Sequence, residues 1–470
     1  MKKIGVVITD GVGFRNFVLS DFLIKSKDQF QEVVVFSCLP KSAYGDLNID
    51  VKIVELEVFE ESFLTWFFRK AKELAHLQKH KKGNFGITDN LRANYSKAKT
   101  PRGWATRLLF PITSICNSEK WILRWEKLQK FTFAKHKITK SYEILLKEFD
   151  SDILFFTHQR PPFIAPLIYA AKKQKIQTAS FIFSWDNLAS KGRMAGSFDL
   201  YLVWSNWMKK ELLQFYSSIK SAQVKVVGTP QFEPYVLDRY GMSKQKFHEK
   251  FDLDINHRTI MFSCGDVSTS PNDFLYIDEI AKIILSGTLE EPLNFLVRTS
   301  PAETPDRFAA LVKKYPWIKW NYPKWVQSRS NHQESWSQRI PTLEDVSDLK
   351  AVLQYCDVSV NMLSTMSLDA LLFDKPVINT VFGNDENGLA NDQRFLKYAH
   401  IVEVINSNAT YIAKNEQELL EFLKKCLANP KVKFKEQNEL IAMEIGVSLD
   451  KTTDLIIEKL NEKDSSSLSI

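Results

Sequence analysis

Short apolar runs bounded by turn residues recur along the chain, with amphipathic stretches between them. Residues 4–8 form the first run, followed by a glycine-containing loop at 9–14, an amphipathic stretch at 16–25 and a second run at 33–36. This order predicts strand, loop, helix, strand at the opening of a parallel α/β layer. A further strand is expected at 51–54. Residues 61–145 then break the alternation, with Phe63, Trp66, Phe67, Trp121, Leu123, Trp125 and Leu128 at helical spacings. It resumes with strands at 153–156, 178–183, 200–204 and 224–227, and helices at 166–173 and 208–215.

The turn-rich stretch 228–234 suggests a domain boundary near residue 240. Beyond it, strands are expected at 259–262, 295–297, 358–360, 376–378 and 401–404, with helices at 349–355, 368–373 and 417–427. Strands separated by helices and joined by short loops imply a doubly wound sheet in each half. The expected organisation is an N-terminal domain at 1–240 with a helical insertion at about 61–145. A second α/β domain at 241–460 and an unstructured tail at 461–470 complete it.

A chain of 470 residues is too long for one ordinary core and suits two such domains. Hydrophobic residues make up 44% and charged residues 25%, as in soluble globular proteins. No apolar run approaches the ~18 residues needed to span a bilayer, and the opening strand reaches Asp10 too soon for a signal peptide. The five cysteines lie far apart without a C-x-x-C pair, which reads as reduced thiols in a cytoplasmic protein and argues against zinc. The net charge of +7 is uneven: residues 66–140 hold 18 Lys/Arg against 4 acids, so the rest of the chain is mildly acidic. One local anionic partner is implied.

The densest candidate chemistry lies at 356–378. A buried strand ends at Asn361, and the hydroxyl-rich turn Ser364, Thr365, Ser367 opens a helix. Free amides and hydroxyls at a helix start suit a phosphate, and Asp369 one turn on can accept hydrogen bonds from ribose or sugar hydroxyls. The same residues also suit a plain helix cap, with Ser364 or Ser367 bonding the first amides and Asp369 favouring the dipole. Gly265 and Asp266, in the loop after the first strand of the second half, are further candidates for a diphosphate.

Ser364, Thr365, Asp369 and Pro376 resemble the donor-site segment of GT-B glycosyltransferases and of the related CDP-glycerol glycerophosphotransferases. The resemblance covers about residues 255–430. It implies two Rossmann-like α/β domains facing a cleft, with a nucleotide-sugar (UDP-linked by default) bound by the second domain and no cofactor or metal required. Two positions depart from the family pattern. Asn361 stands where retaining members carry Glu, which favours inversion, and Ser300 stands where the phosphotransferases carry His. Arg298 suits a donor phosphate, or else bridges to an acid such as Glu303.

Three residues after strands of the first half are candidate general bases for an acceptor hydroxyl: Asp10, His158 and Asp186. The basic segment interleaves cations with aromatics, notably Trp121, Arg124, Trp125, Lys127 and Lys130. Such helices suit an anionic membrane face or a lipid-diphosphate acceptor, and no nucleic-acid motif accompanies them. The expected protein is an inverting glycosyltransferase of surface-polysaccharide or glycolipid assembly, cytoplasmic and peripheral on the inner face of the membrane. A CDP-polyol phosphotransferase or CMP-sugar transferase, and a catalytically silent GT-B relative acting as a partner subunit, are the alternatives.

Overall fold

The computed structural model describes residues 1–462 apart from Asp46 and Asn48, so nearly all of the tail expected at 461–470 lies outside the described residues. The chain forms two compact units. Unit 1 comprises Met1–Glu233, Gln327–Ile340 and the C-terminal stretch from Glu444; unit 2 comprises Pro234–Val326 and Pro341–Met443. Each holds one parallel sheet.

In unit 1 the strands are β1 (Lys3–Ile8), β2 (Glu32–Ser37), β3 (Lys52–Glu55), β4 (Ile153–Phe156), β5 (Gln177–Phe181), β6 (Leu200–Val203) and β7 (Val224–Val226). They lie in the order β3-β2-β1-β4-β5-β6-β7. In β1, Ile4 and Val6 to Ile8 are fully buried although successive side chains point to opposite faces. Helices therefore cover both faces, which is why these strands read as continuous apolar runs. The register sets Val7 beside Phe36 on one side and Phe156 on the other.

Unit 2 holds β8 (Arg258–Ser263), β9 (Leu293–Arg298) and β10 (Lys319–Asn321), and, after the paired strands β11 (Trp325–Gln327) and β12 (Arg339–Pro341), β13 (Val358–Asn361), β14 (Val377–Thr380) and β15 (Tyr411–Ala413). The sheet order is β10-β9-β8-β13-β14-β15. Its core includes Phe262, Tyr276, Phe295, Val360 and Ile378, all essentially inaccessible.

Three expectations need correction. Residues 401–404 are not a strand: they lie in the helix Ala399–Ser407, which buries Ile401 and Val404 three residues apart and stops at Asn408 in the left-handed region. A β-branched run carries strand propensity, but helical burial spacing prevails here, and the strand beside β14 at the sheet edge is β15. Residues 9–14 are not an open loop either, because Asp10 caps a helix that starts at Gly11. Finally, the linear division at 240 had placed 327–340 and 444–460 with the second half, whereas both return to unit 1. Gly11 packs so closely on the Arg339 carbonyl that a Cβ would overlap it, and Gln333 donates to the Phe59 carbonyl at 2.8 Å. The last helix, Thr452–Asn461, buries Ile456, Ile457 and Leu460, and Lys25 pairs with its Asp454 at 2.8 Å.

Candidate active site

In a parallel sheet, ligands gather beyond the C-terminal strand ends where the strand order reverses. In unit 1 that point lies between β1 and β4. Asp10 follows β1 and His158 follows β4, and the structure brings them together: His158 Nδ1–H donates to Asp10 Oδ2 at 2.8 Å. The Thr9 hydroxyl donates to the same oxygen at 2.8 Å, and the amides of Val12 and Gly13 donate to Oδ1 at 3.0 and 2.8 Å. Asp10 is fully buried. Burial alone would raise its carboxyl, yet the His158 bond and charge, the Gly13 amide and the Thr9 hydroxyl outweigh it and hold the group below the ordinary carboxylate range.

His158 titrates below its ordinary value, chiefly because burial penalises the imidazolium, with Asp10 opposing that effect. At neutral pH the pair is therefore a carboxylate and a neutral imidazole. Its ring stacks on Phe183 with centroids 3.9 Å apart and planes at 15°. With Nδ1 committed to Asp10, Nε2 makes no hydrogen bond to protein and is not among the enclosed polar atoms. A neutral imidazole whose tautomer is set by a buried carboxylate and whose other nitrogen is free is equipped as a proton acceptor.

Asp186 is not bonded to this pair. Its side chain pairs with Lys191 at 3.4 Å and accepts from Asn187 Nδ2 at 3.0 Å. The surrounding loop is tied to the residue after His158, because Gln159 donates to Asn187 at 3.0 Å and accepts from the Phe183 amide at 3.1 Å.

Two groups near the pair escaped the sequence analysis as site residues. Glu334, on the returning segment, has its carboxyl raised to about 7 by burial, with the charge of Asp10 adding and those of Arg69 and Arg160 opposing. Its Oε2 is enclosed without a partner, as is Nε of Arg160, whose charge reaches both His158 and Glu334. Only the fold brings Glu334 here; nothing local in the sequence marks it.

In unit 2 the order reverses between β8 and β13, where Asn361 pairs with Ser263. The candidate loops at 264–270 and 362–365 leave these strand ends. Much of their hydrogen-bonding capacity is already engaged. The Gly265 amide donates to Asp273 at 2.9 Å, the Val267 amide to Glu303 at 3.0 Å, and those of Ser268, Thr269 and Ser270 close onto Asp266. Asp266 thus organises the turn, and burial is outweighed by the Ser268 and Thr269 donors that lower its carboxyl.

Arg298 is buried and points its fork at Asp345, at 3.0 and 3.1 Å, and at Asn321. The acid it bridges is therefore Asp345; Glu303 pairs with Arg307 instead, at 2.7 Å. The Ser300 hydroxyl accepts from the Ala302 amide at 3.2 Å.

Ser364 lies one residue before the N-cap and its hydroxyl accepts from the Met366 amide at 2.9 Å, while Thr365, at the N-cap position, keeps its hydroxyl uncommitted and partly exposed. Ser367 is buried, bonded to Asn361 at 3.2 Å and Asn379 at 2.9 Å. Asp369 is buried and accepts from the Tyr235 hydroxyl.

On the basic face, Arg124 and Lys127 are exposed, Arg124 lying 4.7 Å from the Trp121 ring centre. Trp125 donates to the Cys116 carbonyl at 3.3 Å, and Lys130 turns inward to Glu126 at 2.8 Å. Among the described residues, no group of His, Cys, Asp and Glu could hold a metal ion, and no helix is long and apolar enough to cross a membrane.

No family model and no curated protein matches the chain. Solved structures do. A glycosyltransferase from Rickettsia africae is 14% identical over 99% of this chain and 100% of that one, with a TM-score of 0.51. The UDP-GlcNAc 2-epimerase of Neisseria meningitidis, solved with UDP-GlcNAc bound, is 11% identical over 98% and 99%, with a TM-score of 0.55. The UDP-GlcNAc 2-epimerase of Methanocaldococcus jannaschii is 10% identical over 97% and 99%, at 0.53. At such identities the likeness is one of fold. The chain has the GT-B fold, with two Rossmann-like α/β domains.

Proposed function

We propose that this protein is an inverting glycosyltransferase that moves a sugar from a nucleotide-sugar to a hydroxyl of a glycan or glycolipid acceptor. The observation that carries the reading is the Asp10–His158 pair at the unit 1 switch point, with Nε2 free of protein partners. Nε2 removes the proton of the acceptor hydroxyl as its oxygen bonds to the sugar C1. The bond from C1 to the donor phosphate breaks, and the nucleoside diphosphate leaves with the electron pair. Asp10 stays ionised, keeps the imidazole in the required tautomer and stabilises the imidazolium that forms.

The donor role falls to the loop and helix at 361–369. Thr365 offers its hydroxyl to a phosphate. Asp369 accepts from a ribose hydroxyl, which takes the place of the Tyr235 hydroxyl seen there. UDP is the first donor nucleotide to try, since a GT-B neighbour was solved with UDP-GlcNAc bound; CDP- and CMP-linked donors are the controls.

The test has two stages. A thermal-shift panel of UDP-, GDP-, CDP- and CMP-linked donors should single out one nucleotide that raises the melting temperature, and Asp369→Ala should remove that shift. With that donor, His158→Ala should lower transfer by about 10²–10⁴-fold while leaving the shift intact. Transfer unaffected by His158→Ala would discard the mechanism, and a chain that answers to none of the donors would discard the reading.

A further inference from the structure

The helix Pro101–Ile115 turns one face inward, burying Gly103, Ala105, Thr106, Leu109 and Thr113. Its outward face is unusual. Trp104 is 64% exposed, Leu108 58% and Ile115 82%. With Pro101 and Pro111, both exposed, they follow 3-4-3-4 spacing and so form one stripe, about 21 Å long at 1.5 Å per residue. Large side chains held in water along one line mark a surface meant to be covered.

The charge around the stripe says by what. From residue 90 to residue 118 the chain holds Arg92, Lys97, Lys99, Arg102 and Arg107 and no acid. Arg107 lies 4.4 Å from the Trp104 ring centre, braced by the carbonyls of Ser96 and Ala98 at 2.7 and 3.1 Å. The next acid, Glu119, is directed inward to Arg193 and Lys79 at 2.5 and 2.9 Å. At the start of this helix Arg102 lies 5.3 Å from the Trp66 ring centre.

We infer that this stripe docks in the plane of an anionic lipid bilayer, Trp104 and its apolar neighbours entering the headgroup boundary while the arginines and lysines meet lipid phosphates. A second copy of the chain is the poorer occupant, because two acid-free basic faces would repel each other. The helical region was expected to reach a membrane through 121–130. In that stretch Arg124 and Lys127 are exposed and Lys130 turns to Glu126, while more exposed apolar side chains lie on the preceding helix at Trp104, Leu108 and Ile115.

Vesicle flotation of the full chain tests this without any donor, so its outcome is independent of the transferase reading. Wild type should float with phosphatidylcholine vesicles containing about one third phosphatidylglycerol and stay behind with pure phosphatidylcholine. Trp104→Glu/Leu108→Glu should lower binding by at least about tenfold, as should Arg102→Glu/Lys99→Glu. Melting curves should stay unchanged, since all four side chains face solvent. Wild type that fails to float with the anionic vesicles would overturn the inference. So would full binding by either variant, or a wild-type dimer that Trp104→Glu/Leu108→Glu converts to monomer.

Discussion

Replacing Asp10 by Asn changes one oxygen to an amide nitrogen and tests the central pair directly. The Oδ1 side is preserved, so the Val12 and Gly13 amides at 3.0 and 2.8 Å keep their acceptor and the helix keeps its cap. The other side reverses. An amide NH₂ cannot accept from Thr9 or from His158 Nδ1–H, both now at 2.8 Å. It donates instead, and His158 can meet it only by presenting a bare Nδ1 and carrying its proton on Nε2. The nitrogen needed as a base is then occupied.

A wrong tautomer in such a pair costs on the order of 10³–10⁴ in kcat. Two charge-assisted bonds worth about 1.5–3 kcal/mol each are lost. The new donation to Nδ1 and the easier burial of a neutral amide offset part of this, so net destabilisation should be about 1–3 kcal/mol. Nucleoside diphosphate release under saturating donor and acceptor measures the first quantity, and a urea melt of the same preparation the second. Because the two residues act as a unit, Asp10→Asn/His158→Ala should be about as slow as His158→Ala alone. Turnover of Asp10→Asn within about threefold of wild type, or fully multiplicative losses in the double variant, would refute the reasoning.

Three further outcomes follow from the packing around the sites. Glu334, raised from 4.5 to about 7, favours folding while protonated and loses that contribution as pH rises through this window. Discounted for partial solvent access, Glu334→Gln should add about 1–3 kcal/mol at pH 8 and nothing at pH 4, and urea midpoints that differ equally at both would contradict it. Gly11→Ala should cost more than about 3 kcal/mol and open 327–340 to protease, because the new methyl meets the Arg339 backbone rather than a side chain that can yield. An unchanged melt and digest would show the contact to be loose. Asp345→Ala should cost about 3–5 kcal/mol by stranding the Arg298 charge, whereas Arg298→Met/Asp345→Leu should recover only the part due to that charge, since the Lys324 amide and the Trp325 indole also donate to Asp345 at 3.0 and 2.8 Å, and should retain the donor-induced thermal shift. Loss of the shift in that double variant would return Arg298 to the donor.

Much of this molecule is written locally. Runs such as Ile4–Ile8 are apolar on both faces and can be satisfied only inside a layered parallel sheet, so strand identity and the two-domain plan were legible. Asp10 and His158 could likewise be placed at strand ends one at a time. Their partnership could not, since it spans 148 positions and exists only because β1 and β4 lie side by side. The same holds for Arg298, whose partner Asp345 comes from a distant helix, and for Glu334, delivered by a segment that returns to unit 1. Where propensity and packing disagreed, as at 401–404, burial on one helical face decided. Periodicity of burial is a local property that each segment carries with it. Which buried groups meet depends on sheet order and chain return, which are settled by packing between segments far apart in the chain.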